Sequence, residues 1–219
     1  MRRRILPLAV AVIVLGFAVF GLINRFTYTD ITSEPGYLEY FQVAEISEEA
    51  CLFTVSEMRE ALPQAPVIVR VRPTAEIEYM FSTARQSFVV TELIKGEGLS
   101  EGEEIYLISD RWRAIVREGQ RFIERGFINF PELDSEYLAF ISDEEVPQEG
   151  DLPVWKLDNC GLITPLFALE DRDNVIRPTS GTSTYVPYSE VSGNEFFAVT
   201  QTALDAMLEL KHEFIEAYC

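Results

Sequence analysis

Apolar and polar positions alternate along this chain in three distinct ways. Residues 5–23 form one unbroken apolar run, residues 54–170 mostly follow the two-residue period of strands, and the C-terminal stretch returns to a three-to-four spacing. The apolar run follows Arg2, Arg3 and Arg4 and stops before Arg25. Nineteen residues at the ~1.5 Å rise of a helix span roughly 28 Å, close to the ~30 Å hydrocarbon thickness of a bilayer. The pattern predicts one transmembrane helix. Cleavable export signals have apolar regions of ~7–15 residues that end at a small-x-small site, and Asn24, Arg25 and Phe26 offer none, so an uncleaved signal anchor is expected. The arginines ahead of the run place the N-terminus in the cytoplasm and residues 26–219 outside.

Residues 26–53 are of mixed polarity, with Pro35 and Gly36, and read as a juxtamembrane connector. Thr54 and Glu57 fit a capping box that opens a short helix, with Val55, Met58 and Leu62 on one face and Pro63 at its end. Residues 67–72 and 75–81 read as one strand bent at Pro73, and residues 86–94 as a second. Lys95, Gly96, Gly98 and Gly102 supply turn chemistry before strands at 104–108 and 136–141. This spacing predicts an antiparallel barrel or sandwich, closed by residues 154–157 and 162–169. After an irregular stretch and a short strand at 184–186, a second capping box, Ser192 to Glu195, is expected to open the C-terminal helix. There Phe197, Leu204, Met207, Leu208, Phe214, Ile215 and Tyr218 form a face suited to packing on the barrel. The expected class is α+β: an anchor over 1–25, a connector over 26–53, a small antiparallel barrel with a short leading helix over 54–170, and a loop plus long amphipathic helix over 171–219.

The leading helix, the strand VIVRV, the unit VVTELIKGEGLSEGEEIYLIS and the strand EYLAFIS together resemble the OB-like barrel of the netrin/TIMP-like superfamily. Similar modules occur in bacterial secreted and membrane-anchored proteins. The resemblance implies a barrel over about residues 54–170 and no catalytic residue. Metalloproteinase-inhibiting members chelate zinc through a disulfide-bonded cysteine at their mature N-terminus, whereas Cys51 lies well inside this chain, so that mechanism is not implied.

Charge narrows the choice of partner. The chain has 36 acidic and 18 basic residues, a net −18. Setting aside the four arginines up to Arg25 leaves 14 basic residues, and a formal −22 for the exported part. Such a field repels nucleic acid and anionic headgroups and leaves cationic ligands admissible. Cys51, Cys160 and Cys219 are too far apart for a CxxC pair; in an oxidising exterior they admit one disulfide with one thiol left over and the pairing open, and in a non-oxidising one all three read as small buried apolar residues.

Chemistry is then read by elimination. His212 is the sole histidine and is expected to be a satisfied surface side chain, with no nucleophile elbow to support a triad. Its isolation excludes zinc sites built from several histidines. The glycines at 96, 98 and 102 lead into a strand and not a helix, which excludes a phosphate cradle. Asp171, Asp173 and Asn174 offer oxygen ligands without the glycine and distal glutamate of a calcium loop, and read as a solvated turn. The remaining signal is basic. Arg111, Arg113, Arg117, Arg121 and Arg125 concentrate on one hairpin, where Trp112, Ala114 and Val116 are expected to face in and the arginines out, with a turn at Glu118 to Gln120. This is a candidate surface for an anionic wall polymer or an acidic partner, and equally a set of ion pairs with the chain's own carboxylates. The sequence therefore predicts a non-enzymatic, membrane-anchored extracytoplasmic binding or assembly module without cofactor or metal. Its partners would be the membrane, through residues 5–23, and a protein or envelope component, with no nucleic acid. The competing readings are a carboxylate-dependent envelope hydrolase and a secreted inhibitor-like protein released by cleavage after the apolar run.

Overall fold

The computed structural model describes residues 13–17, 19–21, 36–80, 83–146, 152–177 and 185–219. The chain divides into two compact units, Met1–Tyr37 and Leu38–Cys219. In the first, residues 13–17 and 19–21 are helical, and Ile13, Val14, Leu15, Phe17, Val19 and Phe20 all lie exposed. Among the described residues no helix is long and apolar enough to cross a membrane. Most of the expected 5–23 span lies outside them.

The second unit is built on a closed five-strand barrel. Its strands are β2 (Val67–Pro73), β4 (Thr83–Lys95), β5 (Glu104–Ser109), β8 (Tyr137–Val146) and β9 (Val154–Leu157). Around the barrel they run β2-β4-β5-β9-β8 and back to β2. Only β5 and β9 pair in parallel. Numbered along the barrel alone, this is the order first, second, third, fifth, fourth, consistent with an OB-like barrel. Closure depends on β8, which uses one edge for β2 and the other for both β9 and the three-residue strand β10 (Leu166–Ala168). Of the two segments expected to close the barrel, 154–157 does so and 162–169 does not. β10 pairs only along the first residues of β8.

The strand expected to bend at Pro73 is two strands, β2 and β3 (Glu78–Met80), both antiparallel to β4 and separated by a break at which the Thr74 N–H bonds the Ser87 carbonyl. At the far end of the β2–β4 pair, Gly96 adopts φ +101°, and a Cβ there would lie 2.4 Å from the Pro66 carbonyl oxygen. Only glycine makes that turn without displacing backbone.

A second, four-stranded sheet lies in part where a connector was expected. Its order is β11-β1-β7-β6, from β1 (Phe41–Ala44), β6 (Arg113–Arg117), β7 (Gln120–Glu124) and β11 (Tyr185–Pro187). Phe41 and Val43 point into the core, and β1 is the central strand on which β7 and β11 assemble.

Helix α1 spans Glu48–Ala61 and starts six residues before Thr54. Its cap is Ser47, whose hydroxyl accepts from the Ala50 N–H, and Glu48 and Glu49 place negative charge on the first turn. Thr54 is buried in mid-helix instead. Val55, Met58 and Leu62 do form the buried face. The turn α2 (Tyr188–Val191) precedes an irregular segment, and α3 runs over Gln201–Tyr218. The box at Ser192 to Glu195 does not cap it. Thr200 does, accepting from the Ala203 N–H. The two long helices run side by side in the same direction. The Thr200 hydroxyl donates to Glu48 at 2.7 Å, the Cys51 thiol to the Ala203 carbonyl at 3.3 Å, and Arg59 grips Glu213 at 2.7 and 3.0 Å near the other end. Helix α3 buries Leu204, Met207, Leu210 and Phe214, and Phe214 packs against Phe140 of β8 and Phe167 of β10 with ring centroids 5.0 and 5.9 Å apart.

Candidate functional site

The basic hairpin is β6 and β7 joined by Glu118 and Gly119, whose φ values of 53° and 79° are those of a tight two-residue hairpin turn. Pairing fixes the faces. Arg113 lies opposite Glu124, Ile115 opposite Phe122, and Arg117 opposite Gln120 on one side; Ala114 lies opposite Ile123 and Val116 opposite Arg121 on the other. Ile123 is buried, so the second side is the core face, as expected for Ala114. Two expectations need correction. Val116 is 53 % exposed, because the hairpin tip runs past the core, and Arg121 shares the inner side with it.

The five arginines are therefore not one surface. Arg113 and Arg117 share the outer face, where Glu124 lies 3.6 Å from Arg117 and accepts from the Tyr185 hydroxyl at 3.0 Å. Arg121 stacks its guanidinium 5.6 Å from the Tyr40 ring. Arg111 precedes β6, is half-buried, and donates to the Asn159 carbonyl at 3.1 Å. Burial lowers its pKa, and the charge of Arg125 adds to that. Arg125 is exposed and opens a run of three left-handed residues through Gly126 and Phe127, with φ of 72°, 77° and 48°. A Cβ on Gly126 would meet the Thr164 hydroxyl at 2.6 Å.

A second polar cluster joins α3 to the irregular segments. Lys211, with no exposed surface, donates to Glu195 at 2.7 Å and to the Glu170 carbonyl at 2.8 Å, and lies 3.1 Å from Asp171. The other Glu195 oxygen accepts from the Ala168 N–H at 2.8 Å. Burial holds the Glu195 carboxyl above its ordinary value, and Lys211 offsets only part of that rise. His212 bonds Asp171 at 2.8 Å on the surface, and that bond, with Lys211 behind it, lowers Asp171. Asn174, expected in a solvated turn, instead turns its side-chain oxygen on the Glu195 and Phe196 N–H groups at 2.9 and 3.1 Å. Asn194 and Asn129 fasten the same region, bonding backbone at Val175, Phe196, Ser192 and Phe130. These groups hold loops in place of regular structure. Among the described residues no three histidine, cysteine, aspartate or glutamate side chains are placed to hold a metal ion.

The three cysteines are free thiols: Cys51 buried, Cys160 half-buried and Cys219 exposed. Burial pushes Cys51 up to about 11 and Cys160 up to about 12, which removes them from thiolate chemistry near neutral pH.

One titratable group escaped the sequence reading. Glu45 is 5 % exposed, one of its oxygens has no hydrogen-bond partner, and burial pushes its carboxyl up to about 7. The signal was the spacing Phe41, Val43, Glu45, which carries the inward alternation of β1 to the residue just past its end. A comparison with protein-family models finds no match to this chain, and a comparison with curated proteins finds none either.

Proposed function

We propose that the chain is a single-pass, membrane-anchored extracytoplasmic module that binds or assembles with a protein or envelope partner, without catalysis of its own. The observation that carries this reading is the contrast between its two polar clusters. Lys211, Glu195, Asp171 and His212 are engaged with one another and with backbone, whereas the basic hairpin displays Arg117 and Val116 to solvent on an otherwise acidic chain. Anchoring is supported by the apolar run behind three arginines and by the exposure of apolar side chains over residues 13–20. A helix that shows apolar residues all round suits a lipid surround. A netrin/TIMP-like barrel is a compatible scaffold, but fold alone assigns no activity.

The hydrolase reading draws on Glu45, a carboxyl poised near neutral pH. It is the weaker one, since a side chain 5 % exposed does not meet a polymeric substrate. The anchored reading is tested with epitope tags at either end of the full chain. After an alkaline wash the protein is expected to stay with membranes, and protease added to intact cells is expected to remove the C-terminal tag and spare the N-terminal one. Recovery of the intact polypeptide in the soluble fraction, or protection of the C-terminal tag, overturns it.

A further inference from the structure

Arg111 and Arg125 are brought together at Gly126. A Cβ on that glycine would lie 3.4 Å from the Arg111 Cβ and 2.6 Å from the Thr164 hydroxyl, so the root of Arg111, the threonine and the residue next to Arg125 share one small region. Left-handed backbone holds them there, with φ of 72°, 77° and 48° at Arg125, Gly126 and Phe127. Only the middle residue is a glycine. Two side-chain-bearing residues in that conformation are strained, and strain of this kind persists where the surrounding structure enforces it, commonly at ligand sites.

The same region has donors without acceptors. Arg111 Nε and Thr164 Oγ1 are buried with no hydrogen-bond partner, and Thr164 has no exposed surface. Another Arg111 N–H is fixed on the Asn159 carbonyl at 3.1 Å. Arg125 is exposed, and among the described residues no ion pair holds it. Its charge lies near enough to act on Arg111. Asp110, a carboxylate that also acts on Arg111, is drawn to Lys156 at 3.0 Å. Two like charges beside two orphaned donors lack a shared acceptor, which an oxyanion against both guanidiniums supplies.

Charge selects its class. A carboxylate answers one guanidinium, whereas a phosphoryl dianion answers both and presents three oxygens to their planar forks. We propose that Arg111 and Arg125 clamp the phosphoryl group of a phosphate-bearing ligand beside Gly126. Exposed Arg125 meets the ligand first, and Arg111, held by Asn159, supplies the fixed side of the clamp. This rests on the binding-module reading, names its ligand class and is independent of the anchor.

The test is calorimetric titration of the full-length chain in detergent, at fixed ionic strength and about pH 8, where phosphates carry two charges. Inorganic phosphate, glycerol phosphate and acetate are the probes. Phosphate is expected to bind about tenfold more tightly than acetate. Arg125→Ala is expected to weaken phosphate about tenfold, and Arg111→Lys, which keeps the charge and loses the fork, about threefold. Arg117→Ala, at the hairpin tip, is expected to leave phosphate binding unchanged. Glycerol phosphate binding as well as inorganic phosphate supports a phosphoryl group carried on a larger molecule, and binding of inorganic phosphate alone supports the free ion. Equal binding of acetate, no binding of either phosphate, or equal losses in Arg125→Ala and Arg117→Ala overturns the clamp. The tag experiment is unaffected by any of these results, so failure of the clamp is distinct from failure of the anchored module.

Discussion

Lys211 and Glu195 form the most consequential contact between individual residues, because neither charge has water to fall back on. Each is almost wholly buried, and every bond at the Lys211 ammonium goes to protein oxygen. Replacing one partner leaves the other as an uncompensated buried charge, which costs far more than the net worth of the pair. Lys211→Met is therefore expected to lower unfolding free energy by about 3–5 kcal/mol in chemical denaturation. Lys211→Met/Glu195→Leu is expected to recover much of that loss. A single variant that loses less than about 1 kcal/mol would show that the pair is solvated. Glu45 acts in the opposite sense. Its carboxyl titrates near 7 in the folded chain against an ordinary 4.5. Below 4.5 both states carry the proton; from 4.5 to 7 the unfolded chain ionises first, so stability falls as pH rises, and above 7 the loss is complete. Glu45→Gln is expected to remove this decline, so its melting temperature should pull ahead of the parent's between about pH 5 and about pH 8. A margin that stays constant with pH contradicts the assignment.

At the scale of elements, helix starts separate local signals from tertiary ones. Thr54 and Ser192 each stand three residues before a glutamate, the local pattern of a cap, yet Thr54 lies inside α1 and Ser192 before an irregular segment. Tertiary contacts override the pattern: Asn194 and Glu195 are spent on the Asn174 and Lys211 networks, and β1 positions α1 so that Ser47 begins it. Thr200→Ala is expected to cost about 1 kcal/mol through the lost cap, with the bond to Glu48 lost as well, whereas Ser192→Ala should change little. Thermal denaturation of both variants distinguishes the two starts. Strands were far easier to read. The alternation and turn glycines marked β4, β5, β8 and β9 within a few residues, because a half-buried strand carries its own record of which side is inside. Strand β1 was missed because four residues beside a polar connector carry too short a record. The basic hairpin was legible as a cluster but not as a surface. Composition counts five arginines together, while only the register reveals that Arg113 and Arg117 share one face and Arg121 takes the other.

Across the whole molecule, burial and charge separate along the chain. Every buried apolar side chain among the described residues falls between Phe41 and Phe214, within the unit Leu38–Cys219. The apolar side chains described in the unit Met1–Tyr37 are exposed. A body whose barrel closes on itself and whose helices are tied by Arg59 to Glu213 and Thr200 to Glu48 contains the contacts needed for cooperative unfolding. The fragment 38–219 is therefore expected to fold alone and to melt, followed by circular dichroism, at the temperature of the full chain within experimental error. It should also remain in solution, because its acidic excess keeps molecules apart. If the anchor proposal holds, the same truncation moves the protein from the membrane fraction to the soluble one without altering its melting curve. A broad or absent transition in the fragment would mean that residues before Leu38 supply part of the core, and the division between a self-contained body and a separate tether would fail.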